Sequence, residues 1–411
     1  MSKITIVGGG QSGLQLGIGL LQGGWDVTVV TDRSPEQIMN GRVTSSQCMF
    51  ANALDHERAL GIDFWDDTCP PVEGISVSVP HPEIAGTKAI EFSSRLDRPA
   101  LSVDQRIKFP RWMEHFEASG GKLVLREASV ADLETYADQS DLVVVAAGKG
   151  DIAKMFERDA ERSQFDQPMR ALALTYVTGM TPRPEYSAVC FNLCPGVGEY
   201  FVFPAETIGG GCEIMVFEGV PGGPMDCWAD VSTPEEHLAK SKWILDTFFP
   251  WEGERCRSVE LTDPLGTLAG RFPPTVRKPV GTLPSGRHVL GMADAVLLND
   301  PITGQGSNNA AKGAAVYLQR ILERGDGPFD AAWMQGTFEE LWAYAKDVVN
   351  WTNALLLPPP PHVLEMLGAA CGDQRIAHRF VNGFDDPRDY ATWFMTPDGA
   401  RAYLDELAGS A

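Results

Sequence analysis

The feature that most constrains the fold is a glycine-rich turn close to the N-terminus. The pattern Gly8-x-Gly10-x-x-Gly13 follows a β-branched run, Ile4–Val7, and precedes an amphipathic stretch. A second strand-like run, 25–30, completes the order strand, turn, helix, strand. This order predicts a βαβ unit, whose glycines let backbone N–H groups approach a pyrophosphate at the N-terminus of the helix. The alternative is a glycine-rich loop without a ligand.

Other polar residues near this turn fit the same interpretation. Gln11 and Ser12 lie inside it, and Asp32 follows Gly13 by 19 residues, at the end of the second predicted strand. A carboxylate at that place accepts hydrogen bonds from ribose hydroxyl groups, so we expect Asp32 to bind the cofactor. A surface turn residue beside Arg33 is the alternative reading of Asp32.

The remaining segments divide into two kinds. The runs 122–126, 141–145 and 288–294 resemble the buried strands of a parallel sheet. Six other runs are separated by glycine and proline turns, which favours an antiparallel sheet: 74–79, 89–96, 171–177, 187–193, 200–204 and 212–217. Helical patterns cover 111–118, 234–249 and 308–323 and predominate over the last 85 residues, where they are interrupted by four prolines at 358–361.

These patterns predict an α/β protein with a Rossmann-like dinucleotide domain, an inserted antiparallel β-sheet domain for the substrate and a helical C-terminus. We expect 1–40, 101–160 and 285–325 to form the discontinuous nucleotide domain. The substrate domain is then 41–100 with 161–284, and 326–411 is the helical region.

Charge and composition exclude several classes of protein. With 34 basic and 55 acidic residues the net charge is −21, which disfavours binding to nucleic acid or to an anionic membrane surface. We find neither a run of the roughly 20 apolar residues that a membrane helix needs nor a secretory signal. The eight cysteines form no Cys-x-x-Cys pair, so we expect a reduced, cytoplasmic protein without a structural metal.

A second motif, near residue 300, distinguishes between the possible dinucleotides. Asp294 precedes Asp300-Pro301-x-x-Gly304-Gln305-Gly306-x-Asn308, and this pairing resembles that of the flavoprotein hydroxylases. The resemblance implies that Asp294 binds the ribityl or pyrophosphate region of FAD and that the loop lies near the pyrimidine end of the flavin. Backbone donors and a helix N-terminus stabilise the negative charge of reduced flavin there. A plain glycine turn capped by Ser307 or Asn308 is the alternative.

The supply of electrons follows from what the chain lacks. It has one glycine fingerprint, hence no second dinucleotide domain for a nicotinamide. After Gly148, which we also expect at the cofactor, the sequence Lys-Gly-Asp-Ile replaces the Asp-Gly-x-x-Ser-x-x-Arg of hydroxylases that bind flavin and NAD(P)H on one chain. We therefore expect the flavin to arrive already reduced.

Several stretches together resemble the styrene/indole monooxygenases, which are two-component FAD-dependent epoxidases. The resemblance extends from Met1 to about Pro359, over these stretches: 27–33, 146–149 with Phe156-Glu157, 300–306, 351–353 and 357–359. It implies an NADH:FAD oxidoreductase as partner, O2 as co-substrate, and a C4a-hydroperoxyflavin that transfers oxygen to an alkene. No side-chain nucleophile and no metal are then expected.

The family has a styrene-preferring and an indole-preferring branch, and six predicted pocket positions distinguish them. Aligned on 31–33, Trp65 and 102–104, the chain has the residues typical of indole epoxidases: Ser45, Gln47, Met49, Val72, Ile75 and Ala100. The resemblance therefore implies indole as substrate, with the 2,3-epoxide opening to indoxyl and oxidising to indigo. Taken singly, Met49, Val72 and Ile75 also fit ordinary core packing.

Three other functions stay open: a styrene epoxidase of the same family, a non-catalytic flavin-binding protein, and a single-component NAD(P)H hydroxylase. Arg42 resembles a family arginine beside the flavin, with a solvated loop residue as the alternative, and Arg106 is a second candidate for the flavin phosphates. The oligomeric state is left open, with a homodimer as one option.

Overall fold

The computed structural model describes residues 2–148 and 150–409. Lys149, which belongs to one of the stretches that resemble the family, lies outside this described part. The strands are β1 (Lys3–Val7), β2 (Asp26–Thr31), β3 (Val72–Pro80), β4 (Lys88–Ala100), β5 (Lys122–Leu125), β6 (Leu142–Val145), β7 (Ala171–Thr178), β8 (Ala188–Cys194), β9 (Gly198–Thr207), β10 (Gly210–Gly219), β11 (Glu260–Leu261), β12 (Thr267–Gly270), β13 (Thr275–Val276), β14 (Val280–Thr282), β15 (His288–Gly291) and β16 (Leu297–Leu298). The helices are α1 (Gln11–Gln22), α2 (Pro35–Met39), α3 (Ala51–Ala59), α4 (Gln105–Ala118), α5 (Val130–Gln139), α6 (Gly150–Ala153), α7 (Pro234–Phe248), α8 (Pro250–Arg255), α9 (Gly306–Arg324), α10 (Ala331–Leu355), α11 (Pro361–Ala370), α12 (Gln374–Asn382), α13 (Tyr390–Trp393) and α14 (Pro397–Gly409).

A six-stranded sheet carries the predicted nucleotide-binding elements. Its order is β14-β15-β6-β1-β2-β5, and every neighbouring pair is parallel except β14 with β15. β6 is apolar and buried throughout, and β1 is buried from Ile4 to Val7, because helices pack on the sheet and cover both of its faces. The predicted α/β fold with a Rossmann-like sheet is confirmed.

Three helices begin earlier than their apolar pattern predicts. α1 starts at Gln11, inside the glycine turn, and α9 starts at Gly306 rather than at 308. α4 starts at Gln105 because Asp104 caps it by accepting from the N–H of Arg106, and Pro110 lies within the helix. Apolar periodicity indicates the buried face of a helix, whereas the first turn is polar and is set by its cap.

An eight-stranded sheet forms the second layer, in the order β11-β7-β10-β9-β8-β3-β4, with β12 also paired to β7. Its pairs are antiparallel except β3 with β8, which run parallel from Gly74–Ala188 to Ser78–Asn192. The expectation of a wholly antiparallel sheet is wrong at this pair. Between β4 and β7 the chain passes through the other sheet, and this long crossover lets β8 join β3 in the same direction.

The C-terminal end of α10 and the helices α11 to α14 pack against the eight-stranded sheet, whereas the earlier part of α10 packs into the core of the six-stranded sheet. Trp351, Phe380, Tyr390 and Trp393 are buried there in one apolar core with Phe92 of β4. The predicted helical C-terminus is confirmed, whereas the exact domain boundaries stay a prediction. Among the described residues, no helix has the length and apolar character needed to cross a bilayer.

Candidate active site

Four of the predicted cofactor residues lie together at the carboxyl ends of strands in the six-stranded sheet. The strands β1, β2, β6 and β15 are parallel, and their carboxyl ends therefore lie side by side. Gly8, Asp32, Gly148 and Asp294 each follow one of these ends. Open α/β sheets bind ligands in the crevice outside the carboxyl ends of their strands.

The first glycine turn is held by close backbone contacts. Gly8 has a φ of +128°, and a Cβ there would lie 2.9 Å from the carbonyl carbon of Ala146. A Cβ on Gly13 would lie 1.9 Å from the carbonyl oxygen of Gly8. At Gly10, by contrast, the nearest atom within 4 Å is Cε2 of Phe109, at 4.0 Å. The turn is thus packed on its inner side and open at Gly10, where a phosphate would approach.

The turn that carries Asp294 is strained and tightly packed. The preceding residue, Ala293, has a φ of +53°, a conformation that residues with a Cβ rarely adopt. A Cβ on Gly148 would lie 2.6 Å from Cβ of Asp294, so glycine permits this approach. Asp294 lies in a 3-10 turn beyond the end of β15, and its carbonyl oxygen accepts from Nη1 of Arg277 at 3.1 Å. Such strain is often found at ligand sites.

The second glycine loop precedes α9. A 3-10 turn, Pro301–Thr303, ends at Gly304, which has a φ of +65°. The hydroxyl groups of Thr303 and Thr352 are 2.7 Å apart, and Nε2 of Gln305 donates to the carbonyl oxygen of Phe384 at 2.9 Å. Contacts from α10 and from the segment after α12 therefore hold this loop.

The two glycine loops lie next to each other although they are about 290 residues apart in the chain. Oγ of Ser12 donates to the carbonyl oxygen of Ala310 at 3.0 Å, and Nε2 of Gln15 donates to that of Ala311 at 2.9 Å. These contacts join the first two turns of α1 to the second turn of α9. Two helix N-termini, each with positive potential, thus face one site.

The residues present fit a dinucleotide flavin. The backbone is open at Gly306, where no atom lies within 4 Å of a Cβ position, and at Gly10, where the nearest atom lies at 4.0 Å. Asn309 is buried, and neither polar atom of its amide has a partner among the described residues. A buried amide without partners indicates a missing ligand or water. Asp32 is 64% exposed at the same sheet edge.

The predicted pocket segment is bonded directly to the second glycine loop. Nδ2 of Asn308 donates to the carbonyl oxygen of Cys48 at 2.9 Å, and Oδ1 accepts from the N–H of Phe50 at 2.8 Å. Met49, between them, pairs with Leu101 as an isolated antiparallel bridge. The predicted pocket segment and the second glycine loop therefore have a fixed relative position.

The six predicted pocket residues form an apolar group and a polar group. Val72 pairs with Ala100 across β3 and β4, and both belong with Ile75 to one buried core. Met49 belongs to a second buried cluster, with Leu101 and Val103, although its bridge partner Leu101 directly follows Ala100. The polar group is Ser45 and Gln47, whose side chains are 3.4 Å apart.

Sequence reasoning missed two residues of the polar group. The hydroxyl of Tyr176 donates to the carbonyl oxygen of Ser45 at 2.9 Å and lies 3.5 Å from Nε2 of Gln47. Nε2 of Gln105 donates to Oγ of Ser45 at 3.0 Å. Burial raises the pKa of Tyr176 well above its usual value and keeps the phenol a neutral donor.

A buried ion pair connects the fingerprint helix to the pocket. Nζ of Lys108 lies 2.5 Å from Oε1 of Glu57 and 3.2 Å from Sδ of Met49. The same Oε1 accepts from Nε2 of Gln11 at 2.8 Å. The contacts Gln11–Glu57–Lys108–Met49 thus run from the first glycine turn to the predicted pocket segment, and no local motif indicated them.

The two predicted phosphate-binding arginines differ in their surroundings. Arg42 is exposed, and its Nη1 donates to the carbonyl oxygen of Thr267 at 3.0 Å. Arg106 is 2% exposed, and its guanidinium donates to Asp104, Asp263 and Thr207. The structure thus gives Arg106 protein partners that connect α4 to the eight-stranded sheet, and its flavin role stays a prediction.

Comparison with solved structures defines the class of fold. A flavoprotein/dehydrogenase from Cytophaga hutchinsonii superimposes with a TM-score of 0.69 at 12% identity, covering 99% of this chain and 100% of that one. The flavin-dependent brominase Bmp2 gives 0.67 at 14% identity, with 99% of both chains covered, and the myxobacterial halogenase CndH gives 0.64 at 14%, covering 96% and 94%. The chain has the FAD-binding fold of flavin-dependent halogenases and hydroxylases.

Sequence comparison narrows this class. The family described as "Styrene monooxygenase A putative substrate binding domain" matches residues 148–255. Styrene monooxygenase StyA of Pseudomonas fluorescens is 28% identical over 415 residues, which cover 99% of this chain and 98% of that protein, and StyA of a further Pseudomonas species matches equally. The chain is thus similar to these styrene monooxygenases over nearly its whole length.

Proposed function

We propose that this protein is the oxygenase component of a two-component flavin monooxygenase and that it epoxidises indole at the 2,3-bond. One observation carries the proposal: the segment that contains Ser45, Gln47 and Met49 is hydrogen-bonded on both sides of Met49 to Asn308, in the first turn of α9. A substrate held by this segment would lie against the flavin loop.

The cofactor residues divide by the part of FAD that they would hold. Gly8, Gly10 and Gly13, with Gln11 and Ser12, would bind the pyrophosphate through backbone N–H groups at the N-terminus of α1. Asp32 would accept from the ribose, and Asp294 with Gly148 would meet the ribityl region. The further proposed contacts are Arg42, Pro301, Gly304, Gln305, Gly306 and Asn308.

Reduced FAD, when bound, supplies the activation of O2 and the electrophilic oxygen. The protein's own residues then have three tasks, which are to orient the flavin, to exclude water and to hold the alkene. The N-terminus of α9 would stabilise negative charge on the reduced ring. The apolar packing of Val72, Ile75 and Ala100 keeps the neighbouring volume dry.

The pocket chemistry suits a flat bicycle with a single N–H donor. Val72, Ile75 and Ala100 would supply one apolar wall, and Met49, whose sulfur contacts Nζ of Lys108, would supply another. Oε1 of Gln47 would accept the indole N–H, because Tyr176 and Ser45 hold the side-chain amide in place.

Styrene is the second candidate substrate, and the curated relatives favour it, since both are named styrene monooxygenase. Styrene has no N–H group, so it would leave the polar atoms of Ser45 and Gln47 without a ligand partner. A non-catalytic flavin-binding protein is a further alternative. The NADH:FAD oxidoreductase partner, the homodimer and the cytoplasmic location also stay predictions.

The test supplies chemically reduced FAD, air and indole, without nicotinamide. We expect blue pigment, formed by oxidation of indoxyl. Consumption of O2 with hydrogen peroxide as the only product would refute the catalytic proposal. Oxidation of NADH by the isolated chain would contradict the two-component arrangement.

A triple exchange tests the choice of substrate. Ser45→Asn, Gln47→Val and Met49→His together introduce the residues that styrene epoxidases typically have at these positions. We expect the ratio of indole to styrene kcat/KM to fall by about tenfold, because the N–H acceptor is lost. Exchange of Ser285, which is exposed in the turn between β14 and β15, serves as the control and should leave the ratio unchanged. An unaltered ratio in the triple variant would remove these positions from the argument.

A further inference from the structure

Glu218, close to the end of β10, is a buried acid that the proposed function does not use. Its side chain is fully buried, and neither carboxyl oxygen has a conventional hydrogen-bond partner within residues 2–148 and 150–409. It lies directly opposite Glu199 on β9. Two carboxylates facing each other across a sheet repel, so this pair needs compensation by a cation or a proton.

The nearby cation is already committed to Glu199. Arg170 binds Glu199 through two hydrogen bonds, from Nε at 2.7 Å and from Nη2 at 2.9 Å. Its Nη1 donates to the carbonyl oxygens of Met169 and Leu356. The charge of Arg170 therefore neutralises Glu199, and Glu218 receives no hydrogen bond from this guanidinium.

Glu218 faces Asp300, the first residue of the second glycine loop. Asp300 is 1% exposed; its Oδ1 accepts from the N–H of Ile302 at 3.1 Å, and in the described parts of the chain its Oδ2 has no donor. Two ionised carboxylates offer only acceptors to each other, whereas a single proton between them makes one strong hydrogen bond.

The surroundings decide which acid holds this proton. Burial raises the pKa of Glu218 well above its usual value, and the charges of Asp300 and Glu199 raise it further. Burial raises the pKa of Asp300 as well, but the hydrogen bonds from Glu218 and from the N–H of Ile302 oppose that rise. Glu218 is therefore the donor and Asp300 the acceptor.

We propose that Glu218 stays protonated at neutral pH and donates a hydrogen bond to Asp300, so that one buried proton connects the substrate sheet to the flavin loop. The loop is then held from two directions. Thr352 and Phe384 contact it from the C-terminal helical region, and Glu218 contacts it from the eight-stranded sheet. The positioning of FAD by this contact rests on the proposed function, whereas the shared proton does not.

The pH dependence follows from the groups around the pair. Asp300, Glu199 and Arg170 face Glu218, and Cys194 faces Glu199. Because the folded pKa of Glu218 is raised, the folded state keeps a proton that the unfolded chain releases above about pH 4.5. The stabilisation is complete below that pH and is lost as the pH rises through the folded pKa.

The first test compares Glu218→Gln with Glu206→Gln, a matched exchange on β9 whose Oε2 is also buried and without a donor in the described structure. Unfolding is measured without flavin between about pH 5 and 9. We expect Glu218→Gln to reduce the proton release that accompanies unfolding by up to about one proton, because glutamine keeps the hydrogen bond without titrating. Release from other buried acids with raised pKa values, such as Glu213, should remain. The Glu206→Gln protein should keep the wild-type pH slope. If the unfolding free energies of both variants changed equally with pH, the proposal would be overturned.

A second measurement does not depend on the folding of Glu218→Gln. Wild-type protein labelled with 13C-glutamate should show the infrared C=O stretch of a protonated carboxylic acid at neutral pH. In Asp300→Asn the amide donates to Glu218, so the part of the band that comes from Glu218 should weaken. Any part from Glu213, whose pKa burial raises to about 7, should stay. Absence of this band in the wild-type protein would overturn the shared proton.

FAD binding separates the two parts of the proposal. Wild-type affinity should fall by about tenfold as Glu218 ionises, whereas Glu218→Gln should bind FAD equally at both ends of the pH range. If Glu218→Gln reduced the proton release on unfolding but the FAD affinity of the wild-type protein did not change with pH, the role of Glu218 in positioning the loop would be refuted. Failure of every variant to bind FAD would refute the proposed function, while the unfolding data would still decide the shared proton.

Discussion

Two loops meet at the start of two helices, and different forces hold them. The turn Gly8–Gly13 is set by backbone contacts within the βαβ unit, where any Cβ at Gly13 would meet the carbonyl oxygen of Gly8. The loop Asp300–Asn309 is set by side chains and carbonyl groups from distant segments, including Cys48, Thr352 and Phe384. The first loop is thus defined by steric exclusion over a short stretch, and the second by tertiary hydrogen bonds.

The difference explains how each loop should respond to mutation. In a sterically defined turn, added volume is harmful on the packed side and harmless to the fold on the open side. In a hydrogen-bonded loop, the harm depends on whether the lost group has protein partners. Each loop contains two residues of the same type. Exchange of the one that is held by protein contacts should mainly lower stability, and exchange of the other should mainly weaken FAD binding.

In the first loop, Gly13→Ala should have the largest effect. Its Cβ would lie 1.9 Å from a backbone oxygen that cannot move away, so we expect a loss of about 3 kcal/mol or more in unfolding free energy. Gly10→Ala is the matched exchange, since its Cβ enters open space. It should cost about 1 kcal/mol at the start of α1, yet weaken FAD binding by at least about tenfold.

Denaturant unfolding without flavin, followed by FAD titration, measures both effects. Equal losses of stability in Gly13→Ala and Gly10→Ala would contradict the distinction between the packed and open sides of the turn.

In the second loop, Asn308→Ala and Asn309→Ala should differ. Asn308 makes hydrogen bonds to Cys48, Phe50 and Gly304, and its loss should cost about 2–4 kcal/mol. The amide of Asn309 has no partner among the described residues, so its removal should change stability by less than about 0.5 kcal/mol and weaken FAD binding. The comparison of loops would fail if Asn309→Ala destabilised the protein as much as Asn308→Ala.

The smallest effect is expected at Asp32, which is 64% exposed. Asp32→Asn should leave stability unchanged and weaken FAD binding by about fivefold, because a ribose hydroxyl loses a charged acceptor. Asp230→Asn, another exposed aspartate, serves as the control in the same titration. Identical affinities for both variants would remove Asp32 from the cofactor site.

Local patterns were sufficient to predict the nucleotide half of the fold. The Gly8–Gly13 turn, Asp32, Gly148 and Asp294 converge because each follows a parallel strand, and parallel strands align their carboxyl ends. Each of these motifs is local in the chain, so it can be recognised in a single sequence.

Contacts between distant residues were not predictable. Lys108 and Glu57 are 51 residues apart, and Gln47 and Tyr176 are 129 apart, so no periodicity relates the members of either pair. The parallel pairing of β3 with β8 was missed for a similar reason, because strand direction depends on the path of the chain between the strands. Nothing in the sequence pattern distinguishes Glu218 from other strand residues, because its burial against Asp300 exists only in the folded protein.

The most direct test of the central claim is a single turnover with chemically reduced FAD and 18O2, in the presence of indole. Our account predicts that one 18O atom enters the oxidised indole product and that little hydrogen peroxide forms. If all of the consumed oxygen appeared as hydrogen peroxide and indole were recovered unchanged, the chain would bind flavin without acting as a monooxygenase.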